Sequence, residues 1–264
     1  MLQAELGGGV QASVDLADHL KLELAAVVPS WYLGSFAVQS AYLLTGAKCL
    51  GLWSCLGGSL HILLDPHGGP PTEVYEAGFT VTMAEWDVLL PLLPAGQTVV
   101  CGSLPPGCSP EQFTALLTRL DRPVVDSSGP GLRAAVKADV PMITPNTHEL
   151  AQLTGSGTTE SAQDLYRETG VQVLLTRGEA GAVYVGEETW EALAPEIQVR
   201  NPVGSGDAFL GAFLYARQQG DTIPESLRLT VGTGSANAML GGPLNLRAEV
   251  ARDLASRVQV SRRT

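Results

Sequence analysis

Basic side chains are scarce in the first 118 residues of this 264-residue chain, where Lys21 and Lys48 are the only lysines or arginines. Over the whole chain 27 acidic residues face 16 basic ones, so the net charge is −11. A protein of that sign repels nucleic acid phosphates. The sequence therefore excludes nucleic acid as an expected partner.

Long apolar runs, a leader-like start and clustered cysteines are also lacking. No run reaches the ~20 apolar residues of a membrane-spanning helix, and the opening MLQAELGGGV lacks the layout of a secretory signal. The four cysteines contain no Cys-x-x-Cys pair, and the four histidines have no metal-ligand clustering. We therefore expect a cytoplasmic protein with reduced thiols and no membrane partner.

The composition is that of a folded globular protein. Hydrophobic residues make up 45% of the chain and charged residues 16%, which favours a packed core over disorder. No internal repeat or low-complexity linker divides the sequence, and its length suits one large domain. We predict a single domain over residues 1–264.

Short strands and helices alternate through the middle of the chain. Between residues 97 and 185, runs rich in Val, Ile and Leu are separated by segments with helical spacing, and mainly helical patterns follow. Strands this apolar are buried on both faces, as in a parallel sheet with helices on each side. The pattern predicts an α/β fold with a mostly parallel central sheet.

The N-terminal part predicts two helices, a strand and a hairpin. Helical spacing covers residues 12–24 and 35–46, and a short buried strand is expected at 25–31. Two extended runs flank the turn-forming residues 65–69, which is a hairpin signal. We place this hairpin at about 58–78.

The segment NPVGSGDAFLGAF, residues 201–213, places two glycines and an acid at the start of a predicted helix. Glycine permits a tight turn and a close approach of the backbone to a ligand. The first amides of a helix lack intrahelical acceptors and carry partial positive charge. Gly204, Ser205 and Gly206 therefore predict an anion site suited to phosphate.

Asp207, in the same segment, has two interpretations. It caps the helix, or it is a general base that takes a proton from an attacking hydroxyl while the amides hold the transferring phosphoryl group. The segment matches neither the Walker A pattern nor the protein-kinase motifs. By itself it does not choose between the two interpretations.

Together with five further segments, this motif resembles the PfkB (ribokinase-like) carbohydrate kinases, and among them the 1-phosphofructokinase and tagatose-6-phosphate kinase subgroup. NPVGSGDAFLGAF is similar to the C-terminal signature of that family, and the other segments follow the family's order and approximate spacing. They are DPHGGPPTEVYEAG (65–78), CGSLPPGCSPEQF (101–113), VVDSSGPGL (124–132), TPNTHEL (144–150) and LLTRGEAGAVYV (174–185).

The resemblance implies a three-layer α/β/α ribokinase-like fold with a small partial β lid. It implies ATP and Mg²⁺ as ligands, Asp207 as the catalytic base, and an anion hole formed by Gly204, Ser205 and Gly206. It further implies that Asn146 and Glu149 organise Mg²⁺ and its waters. A helix cap with an acid in the first turn explains Asn146 and Glu149 equally simply.

Six residues are implied in nucleotide binding by the same resemblance. A glycine-containing turn is the alternative for the first three, and close helix packing is the alternative for the last three, which lie in GTGSANAML. The six are Thr176, Gly178, Gly181, Gly232, Ala236 and Asn237.

The substrate side is where the sequence departs from the family. Ser103 is implied at a strand end facing the sugar, and Gly8 and Gly9 lie where the family has its Gly-Gly turn. The chain appears one strand and one loop short at its front, and the lid segment GGSLHILL, residues 57–64, lacks the arginine usual in phosphosugar kinases. A misplaced start, a decayed front and a different substrate all remain open.

The function implied is transfer of the γ-phosphoryl group of ATP to a hydroxyl of a sugar or sugar phosphate. Fructose 1-phosphate, giving fructose 1,6-bisphosphate, is the first expectation, and tagatose 6-phosphate or another sugar of the family is the next. The alternative from another class is a non-catalytic nucleotide-binding homologue that has lost its sugar site. A homodimer is a further expectation, because the lid of related kinases is often part of a dimer interface.

Overall fold

A computed structural model describes residues 98–240 and 246–263 continuously, with four strands at 26–28, 49–51, 60–63 and 72–75 and isolated positions at 80, 82–84 and 87. None of the helices in these ranges is long and apolar enough to cross a bilayer. The predicted helices at 12–24 and 35–46 lie outside the described residues.

Eleven strands lie within the described residues. Nine form one sheet and two form a separate antiparallel pair. The strands are β1 (Ala26–Val28), β2 (Cys49–Gly51), β3 (Leu60–Leu63), β4 (Thr72–Tyr75), β5 (Val99–Cys101), β6 (Val124–Asp126), β7 (Met142–Ile143), β8 (Gln172–Thr176), β9 (Ala182–Val185), β10 (Thr189–Leu193) and β11 (Gln259–Arg263).

The described helices follow the second half of the chain. Most begin at a residue with a capping side chain or have proline in their first turn, both of which favour helix starts. They are α1 (Pro110–Leu117), α2 (Gly129–Lys137), α3 (Thr147–Thr154), α4 (Thr159–Thr169), α5 (Ser205–Gln218), α6 (Ile223–Ala238) and α7 (Ala248–Arg257).

The large sheet has the order β11-β10-β9-β8-β7-β6-β5-β1-β2. Every pair from β2 to β8 is parallel, whereas β8 to β11 are antiparallel. The mostly parallel sheet predicted from the sequence is therefore confirmed. Because the carboxyl ends of parallel strands meet at one edge, the residues after β5, β6, β7 and β8 are brought together there.

The two faces of the sheet are covered by different helices. Val125, Val173 and Leu175 pack in a core with residues of α1 to α4. Val124 and Leu174, their neighbours in sequence, pack in a second core with residues of α5 and α6. Successive strand residues thus point to opposite, equally buried faces, which is why these strands are apolar throughout. The predicted three-layer α/β/α fold is confirmed.

The hairpin predicted near residues 58–78 is also present. β3 pairs with β4 in antiparallel register, with Leu60 opposite Tyr75 and Leu63 opposite Thr72. These strands form a two-stranded sheet separate from the nine-stranded one. Its position in the chain is that of the predicted lid.

Four elements were not predicted from the sequence: β2, α4, β10 and β11. The last strand reads QVSRR and is largely exposed, so it has no buried apolar face to reveal it. Its contacts come from pairing with β10 and from Arg263, whose Nε donates to Glu191 Oε2 at 2.7 Å. Edge strands held by such non-local contacts carry little local signal.

Helix α6 lies between α5 and α7, and glycine allows the close approach of α7. A Cβ on Gly232 would lie 2.5 Å from the backbone nitrogen of Ala255 and 2.8 Å from the carbonyl oxygen of Ala251. The opposite side of α6 is less crowded, because a Cβ on Gly234 would lie 3.4 Å from its nearest neighbour, in Phe209.

We predict that Gly232→Ala destabilises the protein by about 1–3 kcal/mol, because α7 must shift to admit the methyl group. Gly234→Ala is the matched control, since the same change at an uncrowded helical position is neutral or stabilises by up to ~1 kcal/mol. Urea unfolding measures both variants. A Gly232→Ala protein as stable as the unmodified one would contradict this packing.

Candidate functional site

Asp207 lies in the first turn of α5, immediately after a glycine turn. Gly204 precedes the helix with φ of 79°, a left-handed conformation that favours glycine. A Cβ on Gly206 would meet no atom within 4 Å, so the space above this residue is open. The turn and the helix start therefore leave room for a ligand beside Asp207.

The amides of this turn are unequally available. The Ser205 N–H donates to the carbonyl oxygen of Pro202 at 3.1 Å, so it serves the turn itself. Within the described part of the chain, the N–H groups of Gly204 and Gly206 donate to no protein acceptor. These two amides, with the positive end of the α5 dipole, are suited to an anion.

Asn237 ties the turn to helix α6. Its Nδ2 donates to the Val203 carbonyl oxygen at 3.0 Å and to Ser205 Oγ at 3.1 Å. Asn237 is buried, so these bonds are shielded from competing water. The structure thus gives Asn237 a positioning role at the turn in place of the predicted contact with the nucleotide.

Two further groups lie beside Asp207 at the carboxyl edge of the sheet. Cys101 ends β5 and Asp126 ends β6, and the two are register partners in the parallel pair. The Cys101 Sγ and carboxylate oxygens of Asp126 and Asp207 all lie within 4.8 Å of one another. Sequence reasoning had assigned no role to Cys101 or Asp126.

This group carries strongly shifted pKa values. Burial raises the pKa of Asp207 to about 6, against an opposing hydrogen bond from its own backbone N–H. Burial, and then the charges of Asp207 and Glu149, raise the pKa of Asp126 to about 7. Since the charges repel, Asp207 ionises first and its charge then holds the proton on Asp126. Burial, with Asp126 and Asp207, also raises the pKa of the Cys101 thiol.

Asn146 and Glu149 form a reciprocal cap at the start of α3. Asn146 Oδ1 accepts from the Glu149 N–H at 2.9 Å, and Glu149 Oε2 accepts from the Asn146 N–H at 2.8 Å. The helix-cap interpretation is therefore correct for both residues. Each carboxylate or amide oxygen accepts more than one bond, so the cap does not exclude a ligand role.

A cleft of about 740 Å³ opens beside the α5 turn. Its polar end is lined by Asn146, Thr176, Ser205 and Gly206. Apolar side chains line the rest of the wall, namely Ala194, Pro195, Ile197, Val199, Phe209, Val231 and Ala238. A volume of this size, with a few polar groups at one end, is typical of small-molecule sites.

Three of the six predicted nucleotide residues line this cleft: Thr176, Gly178 and Gly181. Thr176 ends β8, and its N–H extends the ladder by donating to the Pro145 carbonyl oxygen at 3.0 Å. A Cβ on Gly181 would lie 2.0 Å from the carbonyl oxygen of Ala192, so only glycine fits there.

The prediction for helix α6 chose the wrong face. Gly232 faces α7, and Ala236 is buried in the core between α5, α6 and α7, so neither lines the cleft. The helical period places a different set of residues there, spaced at three- and four-residue intervals: Val231, Gly234, Ser235 and Ala238. The alternative of close helix packing is correct for Gly232 and Ala236.

An ion-pair network holds the turn that carries Gly178 and Gly181. Arg177 Nη2 lies 2.6 Å from Glu191 Oε1 and donates to the Ala180 carbonyl oxygen at 3.1 Å. Arg263 binds the other carboxylate oxygen of Glu191. Although burial raises the Glu191 pKa, these bonds outweigh it and lower the pKa overall. The C-terminal strand thus helps to fix one wall of the cleft.

The predicted substrate residues are only partly described. Ser103 is exposed just beyond the end of β5, after Gly102 in a left-handed conformation, and does not line the cleft. Gly8 and Gly9 lie outside the described residues. Positive charge is lacking around the cleft, since none of its described lining residues is basic and Glu179 and Glu196 are acidic.

Some missed residues had a signal in the sequence. Asp126 ends the apolar strand VVD just as a helix-starting segment begins, which is the same kind of position that drew attention to Asp207. The cleft residues of α6 follow from the helical period once the buried face is known. The loop at 194–199 has no comparable pattern.

We predict that Asp126→Asn stabilises the protein at pH 8 relative to pH 5. The folded state keeps this proton up to about pH 7, whereas an unfolded aspartate loses it near 3.8, so the native carboxyl reduces stability as the pH rises between these values. The gain should be roughly 1–4 kcal/mol at pH 8 and small at pH 5.

Urea unfolding at the two pH values measures this difference, and Asp121→Asn at an exposed position is the control. Water solvates Asp121 in both states, so that variant should show no pH-dependent gain. An Asp126→Asn protein equally destabilised at both pH values would show that the carboxyl is needed for packing instead.

Comparison with known proteins gives concordant results. The 1-phosphofructokinase of Escherichia coli K12 is 32% identical over 192 residues, which cover 67% of this chain and 62% of that protein. The 1-phosphofructokinase of Haloferax volcanii is 33% identical over 179 residues, covering 64% and 56%. The chain thus spans about three-fifths of the length of these curated relatives.

The fold agrees as well. Phosphofructokinase-2 from Escherichia coli, crystallised in complex with potassium, superposes with a TM-score of 0.79 at 22% identity, over 95% of this chain and 86% of that one. The model of the pfkB family carbohydrate kinases matches residues 81–246. With more than half of its residues matched, this chain belongs to the pfkB carbohydrate kinase family.

Proposed function

We propose that this protein transfers a phosphoryl group from ATP to a hydroxyl of a phosphorylated ketose, with fructose 1-phosphate as the first candidate. The observation that carries the proposal is the buried Asp207 carboxylate beside the open amides of Gly204 and Gly206. This arrangement combines a base with an anion site, which are the two groups that phosphoryl transfer to an alcohol requires.

Asp207 would take the proton from the attacking hydroxyl. Its pKa of about 6 keeps it ionised at neutral pH and close enough to that pH to accept a proton effectively. The Gly204 and Gly206 amides would receive the negative charge of the transferring phosphoryl group, aided by the α5 dipole. Asn237 would maintain this geometry by holding Val203 and Ser205.

The cleft would hold the nucleotide. Apolar side chains such as Ile197, Val199 and Val231 suit the faces of a base, and Thr176 with the Gly178–Ala180 turn offers hydroxyl and backbone groups. The phosphates would then extend toward Gly206 at the polar end of the cleft. Because no described lining residue is basic, backbone amides and a cation must offset the phosphate charge.

The residues present fit Mg²⁺. Oxygen donors are the ligands this ion prefers, and it commonly keeps several of its waters. Glu149 and Asn146 would organise the hydrated ion, since Glu149 uses only Oε2 in the cap and its charge reaches Asp126. When bound, Mg²⁺ supplies neutralisation of phosphate charge.

The substrate assignment rests on the relatives. Those most similar in sequence are named 1-phosphofructokinase, and tagatose 6-phosphate is the next candidate. Ser103, Gly8 and Gly9 would contact the sugar, with the β3–β4 hairpin as a lid and part of a homodimer interface. The acidic lining of the cleft favours one competing function, a nucleotide-binding homologue without turnover.

A panel of sugars and sugar phosphates, assayed for ADP release with ATP and Mg²⁺, tests the proposal. We expect turnover with fructose 1-phosphate to exceed that with tagatose 6-phosphate, fructose 6-phosphate and unphosphorylated fructose. Faster turnover of another sugar would replace the substrate assignment. Nucleotide binding without turnover on any of them would favour the non-catalytic homologue.

Asp207→Asn should lower kcat by about 10²–10⁴-fold while nucleotide affinity stays nearly unchanged, because the amide cannot accept the proton. For the unmodified enzyme, kcat/KM should fall about tenfold per pH unit below pH 6, since Asp207 must be ionised. Asp121→Asn, the same change at the surface, is the control. Near-normal turnover by Asp207→Asn would remove Asp207 from the role of base.

A further inference from the structure

The group formed by Cys101, Asp126 and Asp207 contains more ligating atoms than the proposed reaction uses. A single carboxylate suffices as the base, and the thiol has no part in phosphoryl transfer. Yet Cys101 Sγ and carboxylate oxygens of both aspartates lie within 4.8 Å of one another. We call this group the thiol–carboxylate cluster.

Backbone geometry holds the cluster together. Cys101 and Asp126 are opposite each other in adjacent parallel strands, so their side chains leave the sheet on the same side. Asp207 approaches from the first turn of α5. Two ligands are therefore fixed by strand register and the third by a helix start, and none lies on a long loop.

The cluster also lacks a cationic protein partner. Within the described part of the chain, every ion pair involves other acidic residues, and neither Asp126 nor Asp207 is among them. Both described cysteines, Cys101 and Cys108, are free thiols. Two acids and a thiol converging without a counter-charge form a donor set for a divalent cation.

We propose that the thiol–carboxylate cluster binds a soft divalent cation of the Zn²⁺ class, with Cys101 Sγ and one oxygen each from Asp126 and Asp207 as ligands. Thiolate selects Zn²⁺ and Cd²⁺ over Mg²⁺. Zinc bonds of about 2.0–2.3 Å bring ligand atoms within roughly 3.5 Å of one another, a short contraction from the observed arrangement. Binding releases the thiol proton to solvent, and water fills the fourth position.

The consequence for activity depends on the proposed function. An ion bound to Asp207 would occupy the base, so Zn²⁺ would inhibit phosphoryl transfer. Mg²⁺, which prefers oxygen ligands alone, would not displace it from Cys101. The binding itself is independent of whether the protein is a kinase.

Cobalt titration of the metal-free full-length protein tests the binding directly. Co²⁺ is a spectroscopic substitute for Zn²⁺, and its bond to thiolate gives a charge-transfer absorption that oxygen ligands do not give. We expect one equivalent of Co²⁺ to produce this band and Zn²⁺ to abolish it. Cys101→Ser should lose the band and bind Zn²⁺ at least ~10-fold more weakly, because hydroxyl is a poor replacement for thiolate.

Cys108→Ser is the matched control, since it removes the other described free thiol and should retain the band. Asp126→Asn should weaken Co²⁺ binding while keeping the thiolate band. An unchanged band in Cys101→Ser, or its loss in Cys108→Ser, would overturn the proposal. If Cys101→Ser does not fold, alkylation of the unmodified protein decides: Zn²⁺ must protect Cys101, and equal labelling with and without Zn²⁺ overturns the proposal.

A second measurement separates this proposal from the kinase assignment. At saturating Mg²⁺ and ATP, the Zn²⁺ concentration that halves ADP release should be at least ~10-fold higher for Cys101→Ser than for the unmodified enzyme. Absence of turnover with every sugar would count against the kinase function and leave the cobalt result standing. Turnover without any cobalt–thiolate band would overturn the metal site alone.

Discussion

Repulsion between two buried carboxylates at the carboxyl edge of the sheet is the constraint on which the site depends. Asp126 and Asp207 are held together by strand register and a helix start, with no cationic side chain paired to either in the described residues. The arrangement costs folding free energy above the pKa of each acid. Such a cost is typical of functional sites, where a shifted pKa is useful and a bound ligand relieves the unfavourable charge.

The surroundings keep that unfavourable arrangement in place. Asn237 holds the Gly204 turn to α6 through two donated hydrogen bonds, both away from water. On the other side of the cleft, Glu191 links Arg177 to Arg263 of the last strand. Each wall is thus anchored to a different layer, and the cleft between them changes little unless one of these polar contacts breaks.

How far the sequence predicts this protein depends on whether the signal is local. The apolar strands, the cap at Asn146 and the glycine turn before Asp207 are encoded within a few residues, and they were predicted. Strand β11 and the cleft-lining face of α6 depend on which elements pack beside them, and they were missed or reversed. Asp126 was missed because its significance arises only when register brings it beside Asp207.

The neutral thiol at Cys101 adds a further step to this electrostatic argument. Burial, with the charges of Asp126 and Asp207, raises the Cys101 pKa, so the cluster holds at most two negative charges at neutral pH. An oxygen-seeking cation such as Mg²⁺ meets only carboxylates there, because it cannot compete for the thiol proton. A thiol-seeking cation can displace that proton and gain a third ligand. One buried sulfur atom therefore determines which metals leave the base free and which ones block it.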